Sequence, residues 1–353
     1  MINDKGIYIK NIYYMLSYAF QVLKQTNYES VAAEEFNKIE DLFAAILAKG
    51  IAKQLKQGLY REYVVNHDTL SVMKGKVDLQ ETIRLQIKRK QMISCEYDEL
   101  SENNLFNQIL KTTMHYLIMS KGVDQEHKIA LTKLFLFFDG VDLLSPSSIL
   151  WNRLHYHKNS KNYEMLLNIC YLVMDGMLQT TEAGEYKMSS FSDEHMAKLF
   201  EKFILEYYRC ERKDLSDARA AKIKWNLDSD SSKSMISFLP EMQSDIFLRK
   251  DEKVLIIDAK YYGKTMQYRN DKKTLHSSNL YQIFTYVKNQ DKENTGNVSG
   301  MLVYAKTQEN YIPTEGYQVK IGGNQIGAIT LDLNKDFEDI KKQLDDIAIH
   351  FLG

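Results

Sequence analysis

Met242-Gln-Ser-Asp-Ile-Phe-Leu248 and, across a polar break, Val254-Leu-Ile-Ile-Asp-Ala-Lys260 are the two stretches that decide how this chain folds. Val254 to Ile257 is a short apolar, β-branched run, the pattern of a buried strand, and Asp258 and Lys260 continue it. Side chains alternate along a strand, so Ile256, Asp258 and Lys260 share one face. Met242 to Leu248 reads as a second strand, and Arg249-Lys-Asp-Glu252 as the turn of a hairpin. A turn centred on Lys250-Asp251 sets Asp245 opposite Ile256 and diagonal to Asp258 on that face. An odd-length loop would flip the parity and part the two carboxylates.

Two acids and a lysine beside Ile256 and Ile257 are costly to bury unless they neutralise one another or hold a cation. A pair of carboxylates one diagonal apart is a hard oxygen site suited to Mg²⁺. Asp245 and Asp258 are the expected metal ligands, with the Ala259 backbone carbonyl a further one. Lys260 would hold or activate the attacking water, the arrangement needed for phosphodiester hydrolysis. An ordinary amphipathic hairpin with an Asp–Lys pair at its edge fits these residues equally well.

The flanks read as helices. Ser192 to Arg209 carries Met196, Leu199, Phe200, Phe203 and Tyr207 at helical spacing, with Ser192 at the N-cap. Glu201 falls on the flank of that stripe, as a metal-reaching or a solvated acid. His276 to Lys288 is a second helix with Gln282 and Tyr286 one turn apart, a spacing that also suits plain packing. Strands are expected at Gly300–Ala305, Tyr317–Ile321 and Gly327–Leu333, then a closing helix from Lys335 to about Leu352. This order resembles the core of the PD-(D/E)XK nucleases, and Gln282-x-x-x-Tyr286 resembles the Q-x-x-x-Y box of their RecB-like branch.

Further stretches are similar to the McrC family, the nuclease subunits of McrBC modification-dependent restriction systems. They are Lys10-Asn-Ile-Tyr-Tyr-Met-Leu-Ser-Tyr-Ala19, Lys74-Gly-Lys-Val-Asp78 with Thr82-Ile-Arg84, and Asp98-Glu-Leu-Ser-Glu-Asn103. Leu239-Pro-Glu-Met-Gln-Ser-Asp245, Ile257-Asp-Ala-Lys-Tyr-Tyr262 and Ser278-Asn-Leu-Tyr-Gln282 complete the set. Ser244 stands where the superfamily name has proline, a proline that McrC proteins lack as well. The resemblance implies Asp245, Asp258 and Lys260 as the catalytic set with Mg²⁺. It implies a McrB-like AAA+ GTPase hexamer as partner, double-stranded DNA carrying 5-methylcytosine as substrate, and association between two copies in the full assembly. GTP would be bound by the partner, since Gly263-Lys264-Thr265 lacks the first glycine of a phosphate-cradling loop, whose place falls at Asp258.

The 353 residues are 44% hydrophobic and 26% charged, enough for two domains with cores of their own. A net charge of −1 argues against unaided DNA binding and confines any phosphate contact to a local patch. Lys264, Arg269, Lys272 and Lys273, leaving the catalytic strand, with His276 and the Gln282–Tyr286 pair, are the expected supporting or DNA-contacting residues. Cys95, Cys170 and Cys210 show no metal or disulfide spacing, with Cys170 and Cys210 expected as buried thiols in a reducing cytosol. No run reaches membrane length, and the N-terminus does not read as a signal peptide.

The expected fold is mixed α/β (α+β). Residues 1–158 would be an interaction domain that engages the GTPase, and 159–353 a PD-(D/E)XK domain whose mixed sheet is flanked by helices. In the first part, helices are expected near Ile12–Leu23, Ile39–Ala52, Asn103–Met119 and Ile129–Phe137, and strands at Tyr60–His67 and Leu70–Val77. Tyr8, Tyr13, Tyr14 and Tyr18 crowd the first helix, as residues suited to interfaces or to packing. Two other readings stay open: a GTPase-activating subunit with weak or lost nuclease activity, and an autonomous RecB-like nuclease.

Overall fold

The computed structural model describes residues 3–4, 7–20, 23, 28, 31, 33–156, 161–178, 193–228, 233–261, 267–269, 272–306 and 318–353. The chain parts into two compact units, Met1–Leu42 with Met188–Gly353, and Phe43–Lys187. The boundary expected near residue 159 is therefore not where the units divide. The first helix, α1 (Ile9–Ala19), packs on α2 (Asp193–Glu211). Tyr18 donates a 2.6 Å hydrogen bond to Glu211, and Asn11 donates to the carbonyls of Leu333 and Lys335, both at 2.8 Å. Tyr14 stacks on Phe337 with ring centroids 4.4 Å apart. The tyrosines of this helix thus serve packing within the first unit.

That unit is built on a six-stranded sheet. Its strands are β1 (Asp217–Ile223), β2 (Met242–Lys250), β3 (Lys253–Lys260), β4 (Val298–Ala305), β5 (Gln318–Ile321) and β6 (Asn324–Leu331). The spatial order is β5-β6-β4-β3-β2-β1. β3, β4 and β6 run parallel at the centre, and the hairpins β1–β2–β3 and β5–β6 run antiparallel. Central parallel strands are covered on both faces, which is why Val254–Ile257 and Met301–Ala305 are continuous buried runs. Between β3 and β4 comes α3 (Ser277–Gln290), and α4 (Phe337–Leu352) closes the chain. Ile283, Tyr286 and Val287 of α3 pack on one face with Phe247, Ile256, Leu302, Tyr304 and Ile326. α2 and α4 both pack against β3, whose Leu255 and Ile257 point to the opposite face.

α3 lies close on β4 because residue 300 is glycine. A Cβ there would sit 2.7 Å from Ile283 and 2.8 Å from Val287, both branched side chains held in the core. Gly300→Ala is expected to lower stability by about 1–3 kcal/mol, the usual cost of overpacking. A urea titration checks this, with Gly140→Ala, where a Cβ meets nothing within 4 Å, as the neutral control.

In the second unit the helices Leu105–Met119 and Lys161–Leu178 pack together. Fully buried Asn107 ties this core to the chain around Tyr60. Its amide donates to the carbonyls of Tyr60 and Glu102, and its oxygen accepts from the Tyr163 hydroxyl. A three-stranded sheet is formed by Glu62–Leu70, Ile93–Ser101 and Lys76–Val77, with Ile93–Ser101 in the middle. The strand expected at Leu70–Val77 is thus mostly a turn. Gly75 there has φ +67°, and a Cβ on it would meet the Glu96 carbonyl at 2.4 Å. Cys95 and Cys170 are buried, and desolvation pushes the Cys170 thiol up to about 12, whereas Cys210 is only partly covered. Among the described residues no helix is long and apolar enough to cross a membrane.

Candidate active site

The hairpin β2–β3 closes through the two-residue turn Asp251-Glu252, with Lys250 opposite Lys253 and Asp251 at φ +51°. The turn is therefore centred one residue later than the sequence suggested, and the register moves by two. An even shift keeps the parity of the paired residues Ile246 to Lys250 and does not by itself place Asp245. The ladder itself ends at Ile246 opposite Ile257. Beyond it, Asp245 Oδ2 accepts the Ala259 backbone N–H at 2.8 Å.

Asp258 has 0% exposure, deep in the sheet yet next to its polar end. Lys260, one pleat further on the same face, brings its Nζ within 3.0 Å of Asp258 Oδ1 and 2.8 Å of Oδ2. Only the Oδ1 contact has hydrogen-bond geometry, which leaves Oδ2 a buried acceptor without a hydrogen bond. Burial raises the pKa of Asp258; the Asp245 charge adds to the rise, and Lys260 opposes it. Burial also raises Asp245, against the Ala259 N–H and Lys260. Glu201 of α2, half-buried, is pushed up to about 7, first by desolvation and then by Asp245, with Lys260 opposing. Three acids facing one ammonium are short of positive charge, and a buried oxygen with spare lone pairs is what a hard divalent cation takes. Among the described residues no three His, Cys, Asp or Glu side chains lie together at ligand distance. Two carboxylates suffice for Mg²⁺, which keeps several waters.

A family model described as the McrBC 5-methylcytosine restriction system component matches residues 3–305. The chain belongs to the McrBC restriction-component family. The McrBC relationship extends to the type IV methyl-directed restriction enzyme EcoKMcrBC of Escherichia coli strain K12, 30% identical over 350 residues and spanning 98% of each chain. Two solved structures from Thermococcus gammatolerans are also similar. One is a refined half-complex from a tetradecameric assembly of McrB AAA+ hexamers with bound McrC, 18% identical, TM-score 0.47, covering 88% of this chain and 68% of that one. The other is a cryo-EM structure of the McrBC complex, 21% identical, TM-score 0.43, covering 58% of this chain and 59% of that one.

In this McrBC component the residues singled out by sequence fall in separate places. Asp245, Asp258 and Lys260 come together, with Glu201 in their field. Ala259 presents its N–H to Asp245. Gln282 and Tyr286 meet each other, Gln282 Nε2 donating to the Tyr286 hydroxyl at 2.9 Å, and Tyr286 belongs to the apolar cluster under α3. His276 occupies the N-cap position of α3 without a side-chain cap, and its carbonyl accepts the N–H groups of Asn279 and Leu280. Gln267–Arg269 and Lys272–Thr274 form a short antiparallel hairpin, which places the backbone of Arg269, Lys272 and Lys273. Their side chains, and the whole of Lys264 and Ser192, lie outside the described residues.

Two features had no sequence signal. Buried Tyr304 stands beside Lys260 in the β3–β4 register, and its hydroxyl accepts from Asn279 Nδ2 at 3.1 Å. Ser244, fully buried, directs its Oγ at the Ala221 carbonyl, 3.3 Å away.

Proposed function

We propose that this McrBC component is the Mg²⁺-dependent DNA endonuclease subunit of a GTP-driven restriction complex, cutting duplex DNA marked by 5-methylcytosine. The observation that carries the reading is the fully buried Asp258, hydrogen-bonded to Lys260, with the partly buried Asp245 turned to the Ala259 N–H beside it. A stability role alone gives such a site little reason to exist, because a buried acid pair with one cation costs more than an apolar substitute. Asp245 and Asp258 would hold the ion, which when bound supplies charge stabilisation to a phosphate oxygen. Lys260 would orient or activate the attacking water. Asp258 keeps that ammonium in place. Glu201, its carboxyl pushed up to about 7, is a group in reach that can give or take a proton as the charge of the site changes.

The partner would be a McrB-like AAA+ GTPase that reads the modification and hydrolyses GTP, with this chain supplying the cut. The second unit fits the partner's side of the work. Tyr63, Val65, Val72 and Met73 of its small sheet and turn are 73%, 52%, 72% and 65% exposed, apolar side chains a partner could cover. Mixing the chain with the GTPase, GTP, Mg²⁺ and methylated DNA is expected to give cleavage that disappears when any one is left out. Stimulated GTP hydrolysis without cleavage would replace this reading with a purely regulatory subunit. Cleavage by the chain alone would replace it with an autonomous nuclease.

A further inference from the structure

Asp245 does not sit in a regular strand. In the β1–β2 ladder Arg219 pairs with Phe247 and Ala221 with Ser244, so Ala220 alone faces both Asp245 and Ile246. β2 therefore carries one extra residue, a β-bulge, and the acid is one of the two bulged positions. On its other side the β2–β3 ladder stops at Ile246. Asp245 is thus released from ladder pairing on both edges, between the buried Ser244 and Ile246. A bulge turns its side chains away from the regular pleat and re-aims them. Here the redirected carboxylate reaches the Ala259 N–H, a donor beyond the end of the β2–β3 ladder.

Ser244 borders the bulge. Its side chain has 0% exposure, and its hydroxyl donates to the Ala221 carbonyl across the last regular pair before the bulge. At 3.3 Å the bond is long, yet it is the partner this structure gives a hydroxyl that burial would otherwise leave unsatisfied. A proline here would offer neither that hydroxyl nor a backbone N–H. We propose that Ser244 is a positioning residue that pins the bulge and so aims Asp245 at the Ala259 N–H and beside Asp258. The proposal rests on the endonuclease reading for its catalytic consequence, though not for its structural one.

The test compares Ser244→Ala, which removes the hydroxyl at almost constant volume, with Ser244→Thr, which keeps it. Each full-length variant is assayed for proton exchange at the Ala259 amide, using alanine labelled at nitrogen, without metal. Each is also assayed for cleavage with the GTPase, GTP, Mg²⁺ and methylated DNA. In Ser244→Ala the Ala259 amide is expected to exchange about tenfold faster and kcat to fall about tenfold, with KM for DNA unchanged. Exchange at Ala328, on a distant central strand, stays as it was, and Ser244→Thr restores the Ala259 value. An unchanged Ala259 amide and an unchanged kcat in Ser244→Ala overturn the proposal. So does faster exchange at Ala328 and Ala259 alike, which marks Ser244 as a packing residue only. Absence of cleavage by the wild-type complex overturns the endonuclease reading instead, and leaves the amide comparison to decide the role of Ser244.

Discussion

Asp258→Asn is expected to abolish DNA cleavage by the assembled complex while GTP hydrolysis by the partner stays stimulated. Asparagine keeps the volume of a side chain that has no exposure, so the sheet around it survives. What goes is the negative charge that Lys260 pairs with at 2.8–3.0 Å and that a divalent ion would need. A cation held by Asp245 alone loses most of its binding, and the loss should be about 10²–10⁴-fold in kcat. Lys260→Ala is expected to do the same by another route. With the ammonium gone, desolvation and the Asp245 charge act on Asp258 unopposed, and the carboxyl stays protonated further up the pH scale. Lys260→Arg should not rescue it, since a planar fork cannot place one point charge where the lysine does. Normal cutting of methylated DNA by either purified variant, in the presence of GTPase, GTP and Mg²⁺, would remove this site from the chemistry.

The same residues show how much of this was readable beforehand. Val254–Lys260 announces itself, because a β-branched run cannot be mistaken when polar turns bound it and acids alternate onto one face. α3 and the central strands β4 and β6 follow from the same periodicities, with ends shifted by a few residues. β1 was invisible. Asp-Ala-Arg-Ala-Ala-Lys-Ile has alanines and charges in place of β-formers, and it is a strand only because β2 offers it an edge. Ile93–Ser101 hides for a like reason, with Glu96, Asp98 and Glu99 on a strand whose outer face is solvated. The docking of α1 beside α2 could not be read at all, since an amphipathic stripe states that something is buried against it but not what. In the site, residue types were legible and geometry was not. The turn centre lies one residue away from where the sequence puts it, and the bulge that re-aims Asp245 leaves no mark in composition.

A second large effect concerns the metal-free protein, which is expected to lose stability as pH rises from about 4 to about 7 because of these acids. Asp245, Asp258 and Glu201 all have folded-state pKa values above their ordinary ones, Glu201 at about 7. Below the ordinary carboxylate range both folded and unfolded chains carry the proton, and the site contributes its full stability. Through the interval the unfolded chain deprotonates freely, while the folded one must hold its protons or bury charge, so stability drains away until the raised values are passed. A tenfold difference in proton affinity between the folded and unfolded chains is worth about 1.4 kcal/mol. After allowance for the half-exposed surroundings of Glu201, the site should cost about 1–3 kcal/mol at neutrality. Elsewhere Asp214 is held below the usual range by Arg212, and Asp291 by Asn324 and nearby N–H groups, against burial. Their stability is present above that range and lost on acidification, the opposite sign, so only a difference between variants isolates the site. In chelator, Asp258→Asn should therefore melt higher than wild type at pH 7.5 and nearly together with it at pH 4.5. Adding Mg²⁺ at pH 7.5 should raise wild type and leave the variant where it was, because a cation stabilises the charged carboxylates that protons no longer cover. Parallel melting curves for the two proteins across that interval, with no response to Mg²⁺ in either, would mean that these acids bind protons alike in the folded and unfolded chains and that the pair holds no cation.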